Sequence, residues 1–550
     1  MIDLYERFIY NILSSKPKKF LVVFITLILF VASIAMFPTK LVLAKMLPGK
    51  SANSFSIYVD TPEGSSIYET TKVTKCLVGV LAKEKEVLNV STYLGTNSPL
   101  DYAGLAKGSI FKNSENVAEM VINLTDKDSR EEASFLMVHR LRSLFKQECE
   151  EVVEGSVIKM IEQPAGPPTL ASIVVEVYGK GNKLHQISDD VKKILENTGD
   201  LVDVDKLSSE RFNKFELSID KEKVVRSGLK IEQVNKILYL AFEGAVISAK
   251  NSYNSPDQIA IFLVLDKKSR TFNSNDIVSF KNKLSSLKLM NTKGMMVPMD
   301  ELVSIATKKA YKVITQKNLK TYVNVIAETD LVSQVYPLID AKGRMEEFFS
   351  KNYDVETYNL FDMRLTHKKT KEVYDLVWDG EMKVTLDTFI DLGGAFIAAL
   401  VLVFFLIVVY YKSFRLSGIV LAGSFLSIIG VIFGHWLIDI FTTQSFFLTA
   451  TSLIGFIALI GINSRNSLLL IDFTKLLMNE GHEQRRALAI STATRIKPIF
   501  LTAITIVLAS ILLVSDPVFG GLGVALIFGS MVALLVSIIF VPVLIDGSTL

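Results

Sequence analysis

The chain has 550 residues, 49% hydrophobic and 21% charged, which is too apolar for an ordinary soluble protein and too charged for one confined to a bilayer. Lys and Arg number 60 against 57 Asp and Glu, for a formal net charge of +3; the positive charges are dispersed, so a nucleic-acid footprint is excluded. A protein part membrane and part soluble satisfies both figures.

In chain order, a polar lead at 1–19 precedes an apolar run at 20–37, close to the ~20 residues of a spanning helix. The rival reading is a cleaved signal peptide, because VASIA at 31–35 offers small residues after an apolar stretch; the long lead favours a span. From 38 to 389 the composition is that of a soluble domain. There SFSIYVDT (54–61) reads as strand, 65–83 as helix, 87–94 and VAEMVINL (117–124) as strands, 130–149 as helix and SVIKMIE (156–162) as strand. That order is β-α-β-β-α-β, the ferredoxin-like or split βαβ unit.

After the break QPAGPP (163–168) the order starts again. SIVVEVYG (172–179) is a strand, 182–197 a helix, and strands follow near 201–207 and 214–220. YVNVIAE (322–328), a helix at 331–350 and DVETYNL (354–360) complete a second unit, with 221–315 inserted into it. A linker at 366–389 leads to five more apolar runs, 390–411, 416–436, 447–473, 499–515 and 522–544, the third and fourth bracketing a polar connector at 474–498. The fold class is an α+β membrane protein with six transmembrane helices and one large loop outside.

Lys and Arg placement sets the orientation. Arg7, Lys16, Lys18 and Lys19 stand in the lead, Lys412 and Arg415 in one turn, and Lys475, Arg485, Arg486, Arg495 and Lys497 in the connector. LIDIFTTQS (437–445) and VSDPVFG (514–520) have none, so both termini are read as cytoplasmic and 38–389 as external. Cys76 and Cys149 fall in the external part, which permits a disulfide. Both sit on predicted helices among apolar neighbours, so two buried free thiols are the preferred reading.

The candidate site is GINSRNSLLLIDF, 461–473. Arg465 is about seven residues from the cytoplasmic end of its run, hence roughly 10 Å deep. A charge there costs several kcal/mol unless it snorkels or finds a partner. Asp472 is at i+7, no carboxylate stands at i±3 or i±4, and Asp391, Asp439 and Asp516 lie near the external ends. In RIKPIFLTAIT, Thr502 comes one turn past Pro498, with Thr505 a turn further. Two readings stand side by side. In one, Arg465 snorkels and Thr502 bonds its own i−4 carbonyl; in the other, which is preferred, Arg465 and Thr502 form a partnered site supported by Asn466, Thr505 and Asp472.

GINSRNSLLLIDF, RIKPIFLTAI (495–504), DPVFGGLGVALIFG (516–529), VPVL (541–544), MLPGKSANSFSIYVDTPEGSS (46–66), YLGTNSPL (93–100), EQPAGPP (162–168), VEVYG (175–179) and FELSIDKEKVVRSGL (215–229) carry a resemblance that spans the chain. The sequence resembles the carboxy-terminal half of a resistance-nodulation-division (RND) efflux pump of the multidrug, acriflavine-resistance type. The resemblance implies two ferredoxin-like porter subdomains, 38–169 and 170–220 with 316–365, and a docking subdomain inserted at 221–315. It implies proton-driven export of drugs or other small amphiphilic compounds from the bacterial inner membrane, with the large domain in the periplasm. It also implies a trimeric assembly with a periplasmic adaptor (membrane fusion protein) and an outer-membrane channel, with no cofactor and no enzyme chemistry.

In such pumps a Lys or Arg on this span pairs with aspartates from the amino-terminal half, and a threonine on the next-to-last span joins them. Arg465 and Thr502 occupy those positions, so the resemblance implies proton relay and coupling there. The chain starts at MIDLYERF, where the family's second half starts, so the expected partner is a separate amino-terminal-half chain carrying the aspartates. The alternatives are a non-transporting remnant of a split pump gene, or a Sec-type protein-export accessory subunit, which would carry an acidic residue at Arg465. DYAGLAKGSIFK (101–112) departs from the family's charged, aromatic-rich segment.

Three signals are set aside. Met295, Met296 and Met299 in KGMMVPMDE suggest a soft-metal site, yet the family has an apolar strand followed by VP there, and no metal is expected. LPGKSA (47–52) contains GKS but has Ala44 where a phosphate loop needs its first glycine. With neither HExxH nor GxSxG present, an enzyme is not expected.

Overall fold

The structure is a computed structural model that describes all residues except 1, 47–48, 50, 164–165, 209–210, 255–257, 271–275, 443–445 and 548–550. Leu47, Pro48 and Lys50 of the GKS stretch and Pro164 and Ala165 of the Pro/Gly break therefore lie outside the described residues. The chain forms two compact bodies, one of 1–61, 67–207 and 314–550, the other of 62–66 and 208–313.

In the larger body, β1 (Ser54–Asp60), β2 (Val87–Leu94), β3 (Val117–Leu124) and β4 (Val157–Ile161) form an antiparallel sheet in the order β2-β3-β1-β4. Strand alternation puts Phe55, Ile57 and Val59 of β1 on one face, where they pack with Leu77 and Leu81 of helix Ile67–Leu81 and Leu141 and Phe145 of helix Ser134–Glu148. Cys76 and Cys149 are joined in a disulfide, Cα–Cα 5.6 Å, which overturns the reading as two free thiols. The bridge follows from the fold, because both helices lie on the same face of the sheet and bring together residues 73 apart in sequence.

The second α/β subdomain centres on β5 (Ile173–Tyr178), which pairs with Lys320–Thr329 on one side and Val373–Asp379 on the other. β6 (Leu201–Leu207) pairs with the far edge of Lys320–Thr329. Two expectations change here. The strand Tyr353–Tyr358 does not lie beside β5; the chain meanders through Asp362–His367 and returns as Val373–Asp379, inside the stretch read as a linker. Tyr374, Leu376 and Trp378 alternate into the core beside Val175, Val177 and Phe349, a period-2 signal bounded by charged residues. The strand expected at 214–220 belongs to the smaller body, where Asn213–Ile219 pairs with Val303–Lys309. There Phe215, Leu217 and Ile219 pack around Val224, Phe280 and Leu302.

Among the described residues six helices are long and apolar enough to cross a membrane: Lys16–Ala35, Glu381–Tyr411, Phe414–Phe441, Ala450–Asn479, Gln484–Val514 and Gly520–Asp546. They outrun the apolar segments. The connector read at 474–498 shrinks to Glu480–Glu483, because QRRALAISTATRIK has no helix breaker and Pro498 stays inside its helix. Helix Glu381–Tyr411 starts directly after Val373–Asp379 at Gly380, whose φ is 90° and where an added Cβ would come within 2.6 Å of the Ala171 carbonyl oxygen. Where Phe414–Phe441 meets Gly520–Asp546, a Cβ on Gly430 would come within 2.3 Å of the Phe528 carbonyl, so glycine sets that helix approach.

The disulfide yields a test. Unfolded without reductant, the chain should titrate no free thiol. By chain entropy, closing a loop of this length stabilises by about 4 kcal/mol, so the Cys76→Ser, Cys149→Ser double variant should unfold at a markedly lower temperature. Two titratable thiols, or an unchanged midpoint, would contradict the bridge's role.

Candidate functional site

Arg465 stands near the middle of helix Ala450–Asn479 rather than near its end, because that helix extends past the apolar run. One face of the helix is buried, including Gly455, Leu459, Asn463, Ser467, Leu470 and Thr474. The opposite face carries an exposed stripe of Ile454, Ala458, Gly461, Arg465, Leu469, Asp472 and Leu476, spaced three and four residues apart along its whole length. A Cβ on Gly461 would meet nothing within 4 Å. Arg465 therefore lies on an uncovered face, and among the described residues it has neither an ion pair nor a hydrogen bond.

The other expected members are dispersed. Thr502 Oγ1 donates to the carbonyl of Pro498 at 2.8 Å, and Thr505 Oγ1 to the carbonyl of Thr502 at 2.8 Å. This is the local i−4 bonding of the plainer reading, although the Thr502 oxygen keeps its capacity to accept. Asp472 accepts from the Tyr411 hydroxyl at 2.6 Å, and the Lys475 ammonium stands 4.7 Å from the Tyr411 ring centre. Asn466 is buried, on the side turned into the bundle. Of the five residues, Arg465, Asp472 and Thr505 are exposed; no hydrogen bond links Arg465 with Thr502 among the described residues.

Sequence reasoning missed the polar seam on the buried face. Asn463 Nδ2 donates to the Gly423 carbonyl at 2.6 Å, and Ser537 Oγ donates to Asn463 Oδ1 at 2.6 Å. Ser424 and Ser464 hydroxyls meet at 3.0 Å. Nearer the start of the helix, His435 Nδ1 meets the Val431 carbonyl and Nε2 meets Ser452 Oγ, both at 2.8 Å. The signal was in the same string, since Asn463 and Ser464 precede Arg465, but one charge drew attention from two neutral groups.

A profile of the AcrB/AcrD/AcrF family matches residues 1–545. The chain belongs to the AcrB/AcrD/AcrF family. That family is one of membrane transporters, not enzymes, and the six apolar helices make this member a multi-pass membrane protein. The swarming motility protein SwrC of Bacillus subtilis (strain 168) is 20% identical over 534 residues, 93% of this chain and 44% of that one. The cobalt-zinc-cadmium resistance protein CzcA of Cupriavidus metallidurans is 27% identical over 131 residues, 24% of this chain and 12% of its own length. A crystal structure of a heavy metal efflux pump superposes with a TM-score of 0.70 at 16% identity, covering 98% of this chain and 51% of the pump. This AcrB/AcrD/AcrF member thus spans about half the length of such relatives.

The seam predicts a stability effect separable from any effect of Arg465. Hydrogen bonds between membrane helices contribute on the order of 1 kcal/mol each. Asn463→Ala, which removes two, should lower the thermal midpoint in detergent more than Ser464→Ala, which removes one. Equal midpoints for Asn463→Ala and the parent would refute the seam's contribution.

Proposed function

We propose that the chain is the carboxy-terminal half-subunit of a proton-driven RND exporter of drugs or other small amphiphilic compounds, in which Arg465 pairs with an aspartate carried outside these 550 residues. The observation that carries this reading is the uncovered stripe. A guanidinium without countercharge on a lipid-facing stripe is costly, while Ala458 and Gly461 on the same stripe allow a second helix to approach closely. A carboxylate on that helix neutralises Arg465. When it takes up a proton it becomes a neutral acid, the ion pair is lost, and the helix contact is free to rearrange. Thr502, on the next helix, accepts or donates a hydrogen bond in one of the two arrangements.

The remaining parts are assigned on the same basis. The two α/β subdomains act as porter subdomains in the periplasm, the smaller body acts in docking, and both termini are cytoplasmic. The Cys76–Cys149 bridge supports an oxidising location for the α/β part. A trimer, a periplasmic adaptor and an outer-membrane channel complete the assembly by analogy with RND pumps. The names of two relatives favour metal cargo as a second reading. Against it, Met295 and Met296 are exposed whereas Met299 is fully buried in the smaller body's core, so these three thioethers do not converge.

Arg465→Ala should abolish dye export in cells that carry the whole assembly, with the amount of chain in the membrane unchanged; export at the parental rate would sink the coupling role. Purification in mild detergent should co-purify a six-span, aspartate-bearing amino-terminal half. Recovery of the carboxy-terminal half on its own would speak against the pump assembly.

A further inference from the structure

The formal net charge of +3 divides unevenly between the two bodies. Residues 62–66 and 208–313 of the smaller body hold 18 Lys and Arg against 12 Asp and Glu, a formal +6, so the rest of the chain carries −3. Part of the smaller body's acid is spent locally. Asp220 accepts from the Lys223 N–H and Asp276 from the Ser279 N–H at helix starts, and Glu222 pairs with Arg226 within one helix.

Four cations of the excess stand at the open end of a two-stranded ribbon. Asn213–Ile219 and Val303–Lys309 pair with each other, and neither pairs with a third strand among the described residues. The Ala310 N–H prolongs the ladder by donating to the Phe212 carbonyl at 2.9 Å. Strand alternation turns Phe215, Leu217 and Ile305 toward the core of the body and leaves Lys214, Glu216 and Lys308 on the opposite face.

Lys214 and Lys308 are directly opposite each other in register, an arrangement that costs stability. One carboxylate serves the pair, because Glu216 meets Lys308 at 2.6 Å. The exposed side chains of Arg211, Lys214 and Lys309 have neither an ion pair nor a hydrogen bond among the described residues. Tyr311 is 91% exposed and Val313 66% exposed at the same end.

Two plainer roles account for part of this. Lys on an edge strand repels a second such edge, and net charge keeps a protein soluble. Neither role asks for two lysines in opposition, nor for two large apolar side chains in water beside them. The same lysines that turn away a copy of this ribbon attract a segment of opposite charge.

We propose that the ribbon end formed by Arg211, Lys214, Lys308 and Lys309 docks an extended acidic segment of a partner protein, whose carboxylates neutralise these cations and whose apolar side chains cover Tyr311 and Val313. Extended segments dock on open strand edges through backbone hydrogen bonds, with alternate side chains giving specificity. A polyphosphate would meet the lysines but leave both apolar side chains in water, which favours a protein. This partner chemistry deepens the assignment of the smaller body to docking, and it is read out as binding, apart from export and from Arg465.

The probe is a fluorescein-labelled peptide of alternating Glu and Val, titrated against the full chain in neutral detergent by fluorescence anisotropy. The parent should bind it, and the Lys214→Glu, Lys309→Glu double variant should weaken binding about tenfold or more. Lys214→Glu sets a carboxylate opposite Lys308, which favours folding, so lost binding is not lost structure. Lys250→Glu, Lys288→Glu makes the same change of charge at exposed lysines elsewhere in the body and should leave binding within about twofold of the parent. No binding by the parent, or equal loss in the two double variants, would overturn the ribbon as the site. Peptide binding indifferent to Tyr311→Ser would overturn the choice of a protein over a polyanion.

Discussion

A charged side chain inside a bilayer has to find a countercharge or reach water, and helix Ala450–Asn479 is organised around that constraint. Its buried face makes its polar contacts inside the bundle: Asn463 is tied to Gly423 and Ser537, Ser464 to Ser424, and Ser452 to His435, with the Ser467 hydroxyl left unpaired. These bonds fix the rotation of the helix about its own axis. Once the rotation is fixed, Arg465 has one direction in which to point, outward along the stripe from Ile454 to Leu476. Thirty residues make a helix of about 45 Å against a hydrocarbon layer of about 30 Å, so a residue at its middle is badly placed to reach water.

The same helix is anchored to the α/β part at its start. Leu448 N–H donates to the Leu43 carbonyl at 2.8 Å, Lys45 N–H to the Leu448 carbonyl at 3.1 Å and Ala450 N–H to the Met46 carbonyl at 3.2 Å. Ser333 donates to the Ala44 carbonyl and the Tyr336 hydroxyl to the Phe37 carbonyl. Lys45 and Met46 in turn wall a cavity lined by residues of both α/β subdomains, as does Glu381 at the head of its membrane helix. A shift of the Arg465 helix therefore has a backbone-to-backbone route to the joint between the two subdomains. A route of contiguous contacts transmits an effect only where two arrangements exist to choose between.

Much of this was legible in the sequence because it rests on period and composition. The βαββαβ order of 54–161 could be read from alternation and turn residues, and the apolar runs located all six long helices. What escaped depended on distance in space. Cys76 and Cys149 are linked only because two helices share one sheet face. Val373–Asp379 resembled a charged linker until its partner β5 supplied the apolar wall for Tyr374, Leu376 and Trp378. Asn213–Ile219 has a strand pattern that fits either body, and pairing with Val303–Lys309 decided between them. At the site, the isolation of Arg465 was visible from the positions of the acids, whereas two readings of Thr502 stayed open until its hydroxyl was seen bonded to the Pro498 carbonyl.

The helices that flank the Arg465 helix are both irregular. Pro498 sits inside Gln484–Val514 and cannot donate to the carbonyl one turn back, which weakens the helix there. Thr502 adds a side-chain bond to the Pro498 carbonyl itself, a pattern that bends helices. On the other side, Val536–Phe540 is a π-helical turn within the last membrane helix, and its Ser537 is the residue that bonds Asn463. Wide turns of this kind concentrate where a helix changes shape. The last membrane helix thus loses regularity where it meets the polar face of the helix that carries Arg465. Of the bonds that hold the Arg465 helix in rotation, the one from Ser537 to Asn463 is therefore made to a segment poorly able to hold a single shape.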